Sequence, residues 1–169
     1  MTYNIKLRRF KYEDAEALAY FCNDEDLQKY LLLSKLPYTI DDARDFIKYA
    51  KDCEENGGEQ CFAITLDDNA IGCISYTMQS GCHCNSASVG YYIGKEYWNR
   101  GIMPVAVKNV LEIIFQNTAI NRVFAEIFAK NTSSARVLEK CGFVREGYLR
   151  NGVNKDGNVH DAILYALVR

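Results

Sequence analysis

The sequence lacks what a membrane span, a secretion signal or a nucleic-acid surface would need. No run in its 169 residues stays apolar for the roughly 20 positions that a bilayer span requires. The first ten, MTYNIKLRRF, alternate Tyr3, Ile5 and Leu7 with polar neighbours where a signal peptide would carry an unbroken apolar segment. A soluble, cytoplasmic protein is the expectation. Positive charge is in no excess either: 20 Lys and Arg stand against 22 Asp and Glu, for a formal net charge of −2. No basic stripe is available to track a phosphate backbone, so direct nucleic-acid binding is not expected. No internal repeat, low-complexity tract or linker divides the chain. With 49% hydrophobic content, residues 1–169 suit one domain around one sizeable core.

Cysteine is plentiful but unpatterned. Cys22, Cys53, Cys61, Cys73, Cys82, Cys84 and Cys141 form an odd set scattered through predicted helices and strands, which favours reduced thiols over a disulfide framework. Cys82-His83-Cys84 could offer three metal ligands, yet no second Cys/His pair stands at a distance that would close the site. The segment reads as a strand-connecting loop, and no metal is expected.

Alternation of apolar residues from Tyr3 to Arg9 predicts a strand, and Ala15, Leu18, Ala19 and Cys22 recur at helical spacing after it. An irregular stretch ends in Pro37. Thr39 with Asp42 three residues on then resembles a capping box ahead of Ala43, Phe46, Ile47 and Ala50, a helix that ends before Asn56-Gly57-Gly58. The runs CFAITL and AIGCISYTM flank the hairpin-turn residues Asp67-Asp68-Asn69, and SASVGYYIG follows the Cys/His loop. These three strands predict an antiparallel meander. Gly90 within the third marks a bulge or a close backbone approach near Tyr91.

The stretch YWNRGIMPVAVKNVLEIIF, Tyr97 to Phe115, raises the functional question. Pro104 fits the first turn of a helix, and Val107, Val110, Leu111, Ile114 and Phe115 make one apolar stripe. A tight Arg-Gly turn into that helix leaves its first N–H groups unpaired at the positive end of the helix dipole. That is an anion seat: Gly101 lets the backbone approach a phosphate, and Arg100 adds a full charge. An ordinary strand-to-helix connection with a solvated Arg would use the same residues. Neither a Walker loop nor a GxGxxG turn is present. RVFAEIFA, TSSARVLEKC stopped by Gly142, GFVREGYLR and VHDAILYALV then predict strand, helix and two strands around the turn NKDGN.

NTSSARVLEKCGFVREG, Asn131 to Gly147, together with VGYYIGKEYWNRGIM upstream, resembles the GCN5-related N-acetyltransferase superfamily, in the branch holding ribosomal-protein N-terminal acetyltransferases and polyamine acetyltransferases. The resemblance covers nearly the whole chain. It implies an α+β fold, a mixed but mostly antiparallel sheet of about seven strands with flanking helices, and acetyl-coenzyme A as acyl donor. By resemblance, the pyrophosphate loop is Trp98 to Met103, with Arg100, Gly101, Ile102 and Met103 turned to the phosphates. The pantetheine arm pairs with the backbone of Tyr91, Tyr92 and Ile93 as an added strand would. Asn131 bonds the cofactor arm, with Ser133, Ser134 and Arg136 close by. Met103 stands where a second Gly or Ala is usual, so its side chain must point away. Asn131 also suits a plain helix N-cap.

Acetyl transfer needs an unprotonated amine, a donor for the developing oxyanion and a proton for the departing thiolate. The resemblance suggests a backbone N–H between Tyr91 and Ile93 for the oxyanion. Leu138 occupies the position of the family's usual tyrosine acid, which leaves Ser134 as the first choice for proton donor. Ser88 stands where branch members carry a glutamate base; Glu126, Glu146, His160, Asp161 or a water chain remain open. At pH 7 an α-amine is roughly a tenth neutral and a lysine amine less than about a thousandth, so a weak base favours a protein N-terminus as acceptor. The acidic stretch Asn23 to Tyr30 could attract a cationic acceptor. A small amine such as a polyamine or aminoglycoside is the alternative acceptor, and a non-catalytic acetyl-coenzyme A-binding module the alternative function.

Overall fold

A computed structural model describes residues 4–32 and 36–169; Tyr3 lies outside them. Seven strands form one sheet in the order β1-β2-β3-β4-β5-β7-β6. They are β1 Ile5–Arg8, β2 Gln60–Leu66, β3 Asn69–Met78, β4 Ser86–Ile93, β5 Arg122–Phe128, β6 Val144–Lys155 and β7 Asn158–Val168. Every neighbouring pair is antiparallel except β4 and β5, which run parallel. The expected mixed, mostly antiparallel sheet is therefore what the chain builds.

Local chemistry sets most of the connections. Asp67 and Asp68, both at positive φ, make the two-residue turn between β2 and β3, and Asp156-Gly157 does the same between β6 and β7. Five helices flank the sheet: α1 Ala15–Cys22, α2 Glu25–Gln28, α3 Ile40–Asn56, α4 Ile102–Asn117 and α5 Thr132–Lys140. Thr39 and Asp42 form the predicted reciprocal cap of α3, and Gly57 closes it in the left-handed conformation. The short α2, capped by the Asp24 carboxylate, lies inside the stretch that the sequence reading left irregular. A four-residue helix carries no 3.6-residue apolar period to detect.

Alternation along the strands divides the apolar residues into two layers. Ile64, Ile74, Ala87, Val89, Ile93 and Val123 face α4 and α5, where Val107, Val110, Ile114 and Leu138 complete one core cluster. Cys61, Ala63 and Cys73 face α1 and α3, against Leu18, Ala43 and Ile47. Trp98 packs against both clusters. Two expectations need correction. The β3–β4 register runs unbroken through Gly90, so no bulge occurs there; the irregularity lies between Ile64 and Thr65 of β2. β6 is also longer than predicted, because register shifts at Arg145/Gly147 and Leu149/Val153 absorb extra residues while pairing continues.

Candidate active site

β4 and β5 share only three matched pairs, ending at Ser88 with Phe124; β4 then runs on to Ile93 and β5 to Phe128 without pairing. Which backbone groups enter the resulting gap follows from the ladder. Gly94 N–H bonds Ile71 C=O and Gln79 N–H bonds Ser86 C=O, each at 2.9 Å. In an antiparallel pair these directions alternate, so Ser88, Gly90 and Tyr92 turn their backbone groups to β3, and Val89, Tyr91 and Ile93 turn theirs to the gap. On β5, Arg122 N–H bonds Asn85 C=O at 3.3 Å and Ala129 N–H bonds Asp161 C=O at 2.9 Å, which points Glu126 and Phe128 at the gap from the other side. The N–H and C=O of Tyr91 thus form a strand edge with no strand partner. Ile93 keeps its N–H there, while its C=O accepts from the Trp98 indole at 2.9 Å.

Beside this edge the chain turns through Asn99 at φ 59° and Gly101 at φ 74° into α4. Both values lie in the left-handed region, where Gly costs least and Asn is tolerated. A Cβ on Gly101 would meet nothing within 4 Å, so the glycine faces open space. Gly101, Ile102 and Met103 offer their N–H groups there, and Pro104, third in the helix, has none to leave unpaired. The Met103 side chain is buried in the core, as closeness of its backbone to a ligand requires, and Ile102 is buried with it. Arg100 is exposed, its guanidinium 5.7 Å from the Tyr97 ring centroid. The Trp98 ring clamps the loop to β4.

Across the gap, Asn131 caps α5, its side-chain oxygen accepting from Ser134 N–H at 3.1 Å. Its NH₂ group stays available for a second partner. Ser134 is buried, and its hydroxyl lies 2.8 Å from the Tyr91 hydroxyl, which reaches over from β4. Burial raises the Tyr91 phenol above its ordinary range, so it stays a neutral O–H. Ser133 and Arg136 are exposed on α5. Leu138 is fully buried and purely a packing residue. Tyr92 is placed elsewhere: its backbone faces β3 and its side chain turns to α1, with the Cys22 thiol 3.5 Å from its hydroxyl. The reading of Tyr91 as backbone alone missed its side chain. Strand alternation carries that signal, since Tyr91 shares its face with the core residues Val89 and Ile93.

The opposite sheet face is roofed at one end. Lys155, at the tip of the β6–β7 hairpin, donates to Leu31 C=O at 2.6 Å and also to Gln28 C=O, while Phe128 packs against Tyr30 and edge-on against His160. At the closed end of the gap a recess of about 350 Å³ is lined by Gln79, His83, Ser86, Arg122, Phe124 and Leu164. Most candidate bases are committed. Arg122 holds Glu146 through two bonds, 2.9 and 2.5 Å, and keeps its carboxyl below the ordinary range. Asp161 accepts from Tyr148 at 2.6 Å and from Asn151 N–H at 2.9 Å, which lowers it likewise and pins the β6 irregularity. Ser88 sits 3.5 Å from the Gln79 amide. Glu126 is exposed on the far wall. In the acidic stretch, Asp24 is spent as a cap, and Lys29 and then Lys95 hold Asp26 down to about 2. Cys82, His83 and Cys84 lie exposed on the turn between β3 and β4. No helix among the described residues is long and apolar enough to cross a membrane.

A family model described as an acetyltransferase (GNAT) domain matches residues 4–144. The chain belongs to the GNAT acetyltransferase family. It is 30% identical over 174 residues to a putative ribosomal N-acetyltransferase, YdaF, of Bacillus subtilis, covering 98% of this chain and 92% of that protein. Among solved structures, the microcin C7 self-immunity acetyltransferase MccE, in complex with acetyl-CoA and AMP, superimposes with a TM-score of 0.89 at 21% identity, covering 98% of this chain and 92% of that one. RimL, a ribosomal L7/L12 α-N-protein acetyltransferase in complex with coenzyme A, gives 0.85 at 20% identity over 97% and 93%. The fold expected of a GNAT enzyme is thus the fold observed, and the acyltransferase expectation stands.

Proposed function

We propose that this GNAT enzyme transfers acetyl from acetyl-coenzyme A to the α-amine of a protein N-terminus. The observation that carries the reading is the parting of β4 from β5 after Ser88 and Phe124, directly beside the α4 N-terminus. The residues fit the donor. Gly101, Ile102 and Met103 would hold its pyrophosphate by backbone N–H groups, with Arg100 adding charge. The Tyr91 and Ile93 edge would pair with the pantetheine amides, and the Asn131 NH₂ would reach the same arm. Bound there, the thioester supplies an activated acyl group.

The Tyr91 N–H is the oxyanion donor in this reading, being both unpaired and fixed by the β3–β4 ladder. Ser134 hands a proton to the departing sulfur, with the Tyr91 hydroxyl holding its rotamer and resupplying the hydrogen bond. Leu138 offers no competing acid. The substrate choice rests on ionisation: α-amines are roughly a few hundred times more often neutral at pH 7 than lysine amines, as their pKa difference dictates. The similarity to ribosomal-protein acetyltransferases supports it.

Thiol release from acetyl-coenzyme A, corrected for the protein's seven cysteines, tests the reading against N-terminal peptides, polyamines and aminoglycosides. Preferred turnover of peptides is expected. Preference for a small amine would overturn the acceptor and leave the donor site standing; tight coenzyme A binding with silence across the panel would reduce the protein to a binding module.

A further inference from the structure

We propose that Glu59, acting through the Ser75 hydroxyl, takes the proton that an incoming ammonium group must lose at the gap beside Gly90; this rests on the acetyl-transfer reading above. Ser75 Oγ donates to Glu59 Oε1 at 2.5 Å. Ser75 is the direct cross-strand partner of Gly90, and a Cβ on Gly90 would stand 3.9 Å from Ser75 Oγ. The hydroxyl therefore borders the space that Gly90 leaves empty, on the sheet face opposite α4 and α5. The next N–H along β4 on the gap side is that of Tyr91. Carboxylate, hydroxyl, empty space and oxyanion donor thus follow one another from the start of β2 across β3 to β4.

Two observations set this carboxylate apart from Glu146 and Asp161. Glu146 and Asp161 are held by Arg122 and by Tyr148 with Asn151, as described. Glu59 makes no ion pair with any Lys or Arg among the described residues. Among the described residues its other oxygen accepts only from the Tyr49 hydroxyl, at 3.3 Å. The titratable groups around it are Tyr49 and Cys53 of α3, Cys61 of β2 and Cys73 of β3. Burial, then the charges of Glu59 and Cys53, push the Cys61 thiol up to about 12, and burial raises Cys73 still more strongly, so neither competes as a base. The edge does not need Glu59 for its shape either. Gln60 already bonds the Cys53 and Gly58 carbonyls, and Arg9 bonds both Gln60 and Glu54.

The proton balance is direct. Ser75 Oγ takes one proton from the ammonium as its own passes to Glu59, leaving a neutral amine. The amine lone pair forms the C–N bond to the thioester carbonyl carbon and the C–S bond breaks. The second proton leaving nitrogen ends on sulfur by way of Ser134. Glu59 returns its proton to solvent, so one proton is released per acetyl transferred.

The test uses whichever amine the wild type acetylates best and follows kcat/KM against pH. If the bound ammonium is the form that reacts, kcat/KM stays nearly level as pH falls below the amine's own pKa. Glu59→Gln is expected to lose about 100-fold at pH 7. Its remaining rate should climb about tenfold per pH unit up to the amine pKa, since only pre-formed free amine then reacts. Calorimetric affinity for coenzyme A should be unchanged. Ser75→Ala should reproduce the altered profile with a smaller loss, about tenfold, and it decides the matter if Glu59→Gln unfolds. Wild-type rate and profile in the foldable variants, or the same loss in Glu126→Gln instead, would overturn the proposal. A wild type that releases thiol with no amine would bring down the acetyl-transfer reading first.

Discussion

The two faces of β4 differ in how they hold their polar groups. Toward α4 and α5, Tyr91 meets Ser134 in a half-buried neutral pair at 2.8 Å, packed against the core side chains. Toward the other face, Gly90 contributes no side chain at all, and Ser75 and Glu59 stand at the border of the space it leaves. One face keeps a proton in place; the other leaves room for a group that must lose one. Alternation along a single strand is enough to separate these tasks, because neighbouring residues point to opposite sides of the sheet.

The largest expected effect lies where the donor would sit. Gly101→Glu sets a carboxylate in the open space before α4; a like charge about 4 Å from a phosphate costs about 4 kcal/mol at an effective dielectric of about 20, on the order of a thousandfold in affinity. Calorimetry with coenzyme A reads this directly, and unchanged affinity would sink the anion seat. Circular dichroism should show the fold retained, with the strained φ costing about 1 kcal/mol.

Next comes the Tyr91–Ser134 pair. Ser134→Ala should lower kcat about 100-fold with little change in the KM for acetyl-coenzyme A, as befits a group needed for proton transfer. A parallel fall in donor affinity would make Ser134 a binding residue. Tyr91→Phe should cost less, about tenfold in kcat, and destabilise the protein by about 1 kcal/mol through the lost hydrogen bond. If it matches Ser134→Ala, the two hydroxyls act as one unit.

The smallest effect concerns the frame remote from both faces. Burial raises the Asp14 carboxyl, but the Arg8 guanidinium at 2.7 and 2.8 Å and the Lys11 N–H at 2.8 Å outweigh it and leave the group below its ordinary 3.8. A depressed carboxyl contributes stability that is complete above the unfolded-state value and lost as pH falls through the folded one. The melting temperature should therefore drop more steeply below about pH 4 in the wild type than in Asp14→Asn, with donor affinity at pH 7 equal in both.

The donor half of the candidate site was legible because its chemistry is local. Arg100, Gly101 and Pro104 announce a helix start with free N–H groups, and Asn131 three residues before Ser134 announces a cap. The proposed acceptor half is assembled from residues distant in sequence. Glu59 reaches Ser75 across a hairpin, Gly90 arrives from a third strand, and Lys155 meets Gln28 of α2 from 127 positions away. No spacing rule links such positions. Gly90 illustrates the limit: its rarity within a strand was readable, but a bulge and an unfilled space produce the same letter, and only the unbroken register separates them.

Trp98 has a further consequence. Its indole N–H is tied to β4 and its ring touches both hydrophobic layers. A segment anchored in this way has no cheap local opening, so its hydrogen-bonded amides, such as the Trp98 N–H that bonds Lys95 C=O at 3.1 Å, should exchange with solvent deuterium on the slow timescale of the sheet, unlike the free N–H groups at the start of α4. Occupancy at that corner would then register as slowed exchange throughout the molecule.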